Sequence, residues 1–189
     1  MAEVYDTSEF RNGLKILIDG DPFEIIEFQH VKPGKGSAFV RTRIRNLLTG
    51  RVLEPTLKSG EKVGKPDMEE KEMQYLYKEG EHYVFMDVKN YEQTHIGEAA
   101  IGDRKSFLKE NMNAHILFWN GRAIVVELPN TVELRVTKCD PGVRGDTVSG
   151  AMKPATLETG YTINVPLFIN EGDILKIDTR NGNYVTRVG

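Results

Sequence analysis

Cysteine is almost missing from this chain: among 189 residues there is only Cys139. A disulfide framework and a multi-cysteine zinc site are therefore excluded, and a reducing cytoplasm is the expected setting, with Cys139 structural or incidental. No apolar run approaches the roughly 18 residues that a membrane-crossing helix needs. The stretch from Met1 to Phe10 lacks the basic-then-apolar order of a signal peptide, so no membrane association is expected. Nor is one sign of charge in excess. With 25 basic and 28 acidic side chains the net charge is −3, which excludes nucleic-acid binding through bulk positive charge and leaves only local patches. Signatures of catalysis are missing too. His30, His82, His95 and His115 are scattered without short ligand spacing, no Gly-x-Ser-x-Gly elbow occurs, and Cys139 has no histidine partner in sequence. The segment Gly34-Lys35-Gly36-Ser37 fails as a phosphate-binding Walker loop, because Gly36 stands where Ser or Thr must follow the lysine. No catalytic residue, metal site or cofactor is expected.

What is present is unevenly placed charge. Residues 1–65 carry eleven basic and nine acidic side chains, residues 66–128 seven and twelve, and residues 129–189 seven of each. From Phe28 to Leu53 there is no Asp or Glu, yet Lys32, Lys35, Arg41, Arg43, Arg45 and Arg51 all fall there. A solvated face would account for such a run equally well.

The hydrophobic pattern is that of strands. Leu14, Ile16 and Ile18 alternate, Asp19-Gly20-Asp21-Pro22 turns the chain, and Phe23 to Val31 continues extended, which predicts a hairpin. Period two from Phe39 to Leu47 puts Arg41, Arg43 and Arg45 on one face and Val40, Thr42 and Ile44 on the other. Pro55 demotes the end of the following strand, Arg51 to Leu57, to an edge. Met73 to Tyr77 and His82 to Met86 flank a Glu79-Gly80-Glu81 turn. Gly102 to Asn111 is the best helix candidate, capped by Asp103 with Phe107 and Leu108 facing inward. Asn120-Gly121 supplies the positive φ of a type I′ hairpin between Ile116–Trp119 and Ala123–Leu128. Val132–Thr137, Tyr161–Leu167, Ile174–Thr179 and Tyr184–Val188 read as strands with no helix among them. The whole is expected to be all-β, three consecutive small barrels with divisions at 1–65, 66–128 and 129–189; turn spacing suits five-strand OB barrels for the later two.

The segment His30-Val31-Lys32-Pro33-Gly34-Lys35-Gly36-Ser37-Ala38-Phe39-Val40-Arg41 lies between two strands, which places Lys35 at a loop tip. Glycines on both sides leave its amine unshielded, and Pro33 stiffens the approach. An ordinary glycine-rich turn has the same local features. The loop, however, closely resembles the modification loop of bacterial translation elongation factor P. Lys153-Pro154-Ala155-Thr156-Leu157-Glu158-Thr159-Gly160, continuing through Val165-Pro166 to Gly172, is similar to that family's C-terminal signature. Asp140-Pro141-Gly142-Val143-Arg144-Gly145-Asp146-Thr147 is similar to the loop before it, while the middle third matches mainly in layout.

The resemblance implies an N-terminal SH3-like, KOW-type barrel followed by two OB barrels, in an elongated, tRNA-like shape. It implies a monomeric cytoplasmic factor, not an enzyme, that enters the bacterial ribosome between the peptidyl (P) and exit (E) tRNA sites. Lys35, extended by a lysine-modifying enzyme and supported by Lys32, Pro33, Gly34 and Gly36, would reach the CCA end of peptidyl-tRNA and relieve stalls at consecutive prolines. Lysine at this position points away from the arginine-rhamnosylated branch; the adduct stays open. By the same resemblance Gly145, Asp146 and Thr147 would face the exit-site codon of mRNA, and Tyr184 and Arg187 the small subunit. Arg41, Arg43 and Arg45 can pair with tRNA or ribosomal RNA phosphates. Eukaryotic and archaeal initiation factor five A is related but lacks a third domain of this kind, so the unit from Asn130 onward favours the bacterial factor. The alternative is a general RNA-binding barrel protein with no ribosomal action.

Overall fold

In the computed structural model residues 1–142 and 150–189 are described; the expected Gly145, Asp146 and Thr147 contacts lie outside the described residues. Backbone contacts divide the chain into two compact units, residues 1–69 with 117–125, and residues 70–116 with 126–189. Among the described residues the strands form three antiparallel sheets, and the all-β expectation holds.

The first sheet contains β1 (Val4–Asp6), β2 (Lys15–Ile18), β3 (Asp21–Val31), β4 (Phe39–Asn46), β5 (Val52–Leu53), β6 (Thr56–Lys58) and β7 (Lys62–Gly64). Its order is β1-β7-β2-β3-β4-β5, with β6 also on β4. The β2–β3 turn places both Asp19 (φ 52°) and Gly20 (φ 83°) in the left-handed region that a tight hairpin demands. Along β4 the expected alternation is complete: Val40, Thr42, Ile44 and Asn46 are buried, while Arg41, Arg43 and Arg45 are exposed. Val40 and Ile44 join Ile16, Phe23 and Ile25 in the core of this sheet. Pro55 interrupts rather than merely edges its strand, splitting it into β5 and β6. Its carbonyl accepts from both the N–H (3.1 Å) and the hydroxyl (2.7 Å) of the buried Thr42. The three-residue strands β1 and β7 are too short to show a period.

The second sheet contains β8 (Met68–Glu79), β9 (His82–Asp87), β10 (Gln93–Gly97), β11 (Asn113–Trp119) and β12 (Arg122–Glu127), in the order β10-β9-β8-β11-β12. Asn120 (φ 50°) and Gly121 (φ 77°) make the turn their sequence announces. The expected helix over 102–111 is not there. A single α turn, α1 (Glu98–Ile101), ends at Gly102, whose φ of 57° and ψ of −141° suit glycine alone, and a 3-10 segment Gly102–Ser106 follows. Asp103 caps neither. Phe107 and Leu108 do face inward, 6% and 7% exposed. Burying them sets the path of this segment, because a short helix has little stability of its own in water.

The third sheet contains β13 (Thr131–Cys139), β14 (Met152–Leu157), β15 (Thr162–Pro166), β16 (Ile174–Asp178) and β17 (Tyr184–Val188), in the order β15-β14-β13-β16-β17. This repeats the second sheet: the first strand is central, pairs with the second and fourth, and carries the third and fifth outside them, the order of a five-strand OB barrel. In both sheets the central strand is irregular, between Tyr75 and Tyr77 in β8 and between Val136 and Lys138 in β13. Such a bulge bends one strand enough to serve both halves. Strand β14 escapes the sequence pattern because a lysine and a proline sit in it.

Candidate functional site

The β3–β4 hairpin is paired up to Val31 opposite Phe39, and the seven residues between them form its loop. Lys32 to Ser37 are all exposed. Gly36 has a φ of 100°, reached cheaply only without a Cβ, and a Cβ there would lie 4.0 Å from the Pro33 ring. Gly36 thus passes beside the Pro33 ring, and Lys35 between the two glycines is exposed. Among the described residues Lys35 has no hydrogen bond, ion pair or ring contact. Beneath the loop, Phe28 meets His30 edge to face at 5.7 Å, and Phe28 packs on the core, which anchors the stem. An exposed primary amine at the end of an anchored hairpin can be extended covalently or presented to an anionic partner; among the described residues no base is hydrogen-bonded to it that would make it a nucleophile in place.

The three strand arginines share a face but not an environment. Arg43 lies opposite Glu27 and reaches Glu54 at 3.7 Å. Arg45 lies opposite Glu24, which in turn pairs with Lys15 at 3.4 Å. Arg41 lies opposite the neutral Gln29 and Thr56, and its guanidinium stands over the Phe39 ring at 5.6 Å. A shallow groove of about 250 Å³ runs past Gln29, Arg41, Thr42, Arg43, Glu54 and Thr56. Among the described residues its positive end without a paired carboxylate is the Arg41 end, nearest the loop. Glu27 and Glu54 were legible as the acids bordering the acid-free stretch, but their registry with Arg43 follows from the β3 irregularity between Ile25 and Glu27, which no sequence period shows.

In the third sheet Tyr184 is half-buried against the core, so only part of its ring can meet a partner. Arg187 is exposed, stacks on Phe168 at 5.4 Å and approaches Asp173 at 3.7 Å. Cys139 donates to the Ile169 carbonyl at 3.7 Å, and burial pushes its thiol up from its usual range. His95 touches Glu79 at 2.9 Å and His115 approaches Glu70 at 3.4 Å. Among the described residues no three His, Cys, Asp or Glu side chains come together as metal ligands, and no helix is long and apolar enough to cross a membrane.

Comparison with known proteins gives the same division of the chain as the three sheets. The family model for the elongation factor P KOW-like domain matches residues 6–63, that for the elongation factor P OB domain residues 68–126, and that for the elongation factor P C-terminal domain residues 132–187. Elongation factor P of Maridesulfovibrio salexigens is 61% identical over 96% of this chain and 97% of its own. That of Desulfitobacterium hafniense is 59% identical over 96% and 98%, and that of Bdellovibrio bacteriovorus 53% over 98% and 98%. Among solved structures, a eukaryotic translation initiation factor 5A from Methanococcus jannaschii is similar in fold, with a TM-score of 0.57 at 22% identity. It covers 68% of this chain and 95% of its own, which leaves about a third of this chain unmatched. With consecutive family matches from residue 6 to residue 187 and relatives of this identity along the whole length, the chain belongs to the elongation factor P family of translation factors.

Proposed function

We propose that the chain binds the bacterial ribosome between the peptidyl and exit tRNA sites and promotes peptide-bond formation where consecutive prolines stall it, acting in the cytoplasm through Lys35 at the CCA end of peptidyl-tRNA. Three units, 1–65, 66–128 and 129–189, divide the work: the first carries the loop, and the third carries Tyr184, Arg187 and the segment toward the exit-site codon of mRNA. The observation that carries the reading is the exposed Lys35 amine, without a partner among the described residues, on a glycine-flanked loop above an anchored hairpin stem. A group held out in this way is accessible first to a lysine-modifying enzyme and then to an RNA end.

The chemistry is positioning. A prolyl acceptor is a poor nucleophile, and a misaligned peptidyl end has an entropic barrier that a well-placed contact lowers; a tenfold effect needs about 1.4 kcal/mol. Arg41 supplies phosphate contact beside the loop, while Lys32, Pro33, Gly34 and Gly36 set its path. The factor contributes shape and charge, not acid–base chemistry.

Tryptic mass spectrometry of the loop peptide from protein made in its native host should show added mass on Lys35. Translation of matched reporters with and without a triple-proline segment should then slow only on the proline reporter when Lys35→Ala replaces the factor. Lys35→Arg should not restore it, since a guanidinium keeps the charge but is no substrate for lysine-modifying chemistry. Unmodified Lys35, or equal slowing of both reporters, would leave the general RNA-binding reading in its place.

A further inference from the structure

Strand β14 runs exposed, buried, exposed, buried from Met152, and the second position, facing inward opposite Val165, is Lys153. It is 7% exposed among the side chains that fill the barrel. An inward ammonium breaks the pattern of a strand core and is costly unless its protons are engaged. Here they are: Nζ donates to the carbonyl of Asp140 and to that of Ile169, each at 2.5 Å. One side chain thus ties the segment leaving β13 to the turn between β15 and β16.

That turn is held on two further sides. Asn170 Oδ1 accepts from the Gly142 N–H at 2.8 Å, while its Nδ2 donates to the Phe168 carbonyl. The approach is so close that a Cβ on Gly142 would stand 2.9 Å from Asn170 Oδ1 and 3.0 Å from the Phe168 carbonyl oxygen. The Asn170 N–H donates to Asp173 Oδ2 at 2.9 Å, and it is Asp173 that meets Arg187, whose guanidinium also lies over Phe168. Gly142, which precedes in sequence the residues that the family resemblance assigns to mRNA, and Arg187, which it assigns to the small subunit, therefore both meet one turn, residues 168–173.

We infer that Lys153 and Asn170 are positioning residues that seat the segment Asp140–Gly142 on the 168–173 turn and so fix, together, where that segment leaves the barrel and where Arg187 is presented. The inference rests on the proposed ribosomal function for its consequence, but the seating is a property of the chain itself. Lysine suits the task because its long stem can lie in an apolar barrel while three donors at its end reach carbonyls from different segments. Methionine would fill the same space and hold nothing.

The test uses full-length factor carrying Lys153→Met and, separately, Asn170→Ala. Amide hydrogen exchange should rise at least tenfold at Gly142 in both variants, while amides of β13 and β16 keep their protection. The proline reporter should slow at least threefold, with the control reporter unchanged. A variant that merely weakened the barrel would raise exchange in β13 and β16 as well, and that result would overturn the inference. So would normal exchange at Gly142. If Lys153→Met does not fold, Asn170→Ala decides, since an exposed amide is not needed for the core. Should Lys35→Ala slow the proline reporter while both of these variants leave it untouched, the positioning role fails and the proposed function stands. Should Lys35→Ala have no effect while Gly142 exchange rises, the function fails and the seating stands.

Discussion

The Phe107 ring meets Tyr161 edge to face, with centroids 5.3 Å apart, and it does so from inside a core that belongs to the third sheet. Phe107 follows the 3-10 segment of the second repeat, yet it packs with Leu134, Leu157, Val165 and Leu175. Around it the Thr159 hydroxyl donates to the Ser106 carbonyl at 2.6 Å, the Thr179 hydroxyl to the Pro129 carbonyl at 2.6 Å, and Lys109 pairs with Glu158 at 3.3 Å. The two OB-type repeats share side chains as well as a chain.

Removing that ring should therefore be felt in the other repeat. Phe107→Ala is expected to cost about 3–5 kcal/mol, the usual range for a buried phenylalanine. Amides in β13 and β16 should lose exchange protection although the substitution lies outside their sheet. Tyr161→Phe should change little. Loss confined to the second sheet would show that the two repeats are held independently.

The strand arginines should separate when binding to ribosomes is titrated with salt. Arg41→Ala should weaken binding and flatten the log–log salt dependence by about one unit, because among the described residues its charge faces no carboxylate. Arg43→Ala should do less, since Glu54 and Glu27 already offset it. Equal losses from both would mean that the carboxylates swing away on binding.

Gly34 and Gly36 flank Lys35 symmetrically in sequence but not in conformation. Alanine at Gly36, with φ at 100°, should destabilise by about 1 kcal/mol or more. At Gly34 there is no positive φ and nothing within 4 Å of a new Cβ, so alanine should be neutral. Denaturant midpoints of the two variants measure this, and a neutral Gly36→Ala would show that the loop is not held as described.

Asp178 contributes to the chain's sensitivity to acid. Hydrogen bonds from the Arg180 side chain, then from its backbone N–H, hold the carboxyl at about 2 against its ordinary 3.8. The unfolded chain therefore takes up a proton before the folded one does. The stabilisation from this pair is complete above about pH 4 and is lost as the pH falls through about 2. Asp178→Asn should lower stability at neutral pH and reduce the pH dependence between those limits. Parallel curves for the two proteins would show that the pair contributes nothing to the acid sensitivity.

Local pattern settled much of this protein. Period two along residues 39–46 placed three arginines outward and Val40 and Ile44 inward, because neighbouring side chains on a strand must alternate. Asn120-Gly121 made its own turn, since few residue pairs tolerate two left-handed conformations in succession. Pro33, Gly34, Lys35 and Gly36 marked an exposed tip through the same short-range geometry.

Tertiary structure decided what depends on partners distant in sequence. The segment 102–111 has helix-forming residues, but burial of Phe107 and Leu108 and the backbone of Gly102 outweigh so weak a local preference. Which arginine remains uncompensated depended on register across β3 and β4, and the inward Lys153 depended on two carbonyls supplied from 13 and 16 residues away. Strand order followed the same rule. A strand's own residues fix which face is apolar, whereas the choice of neighbour is made by long-range burial and hydrogen bonding that no window of sequence contains.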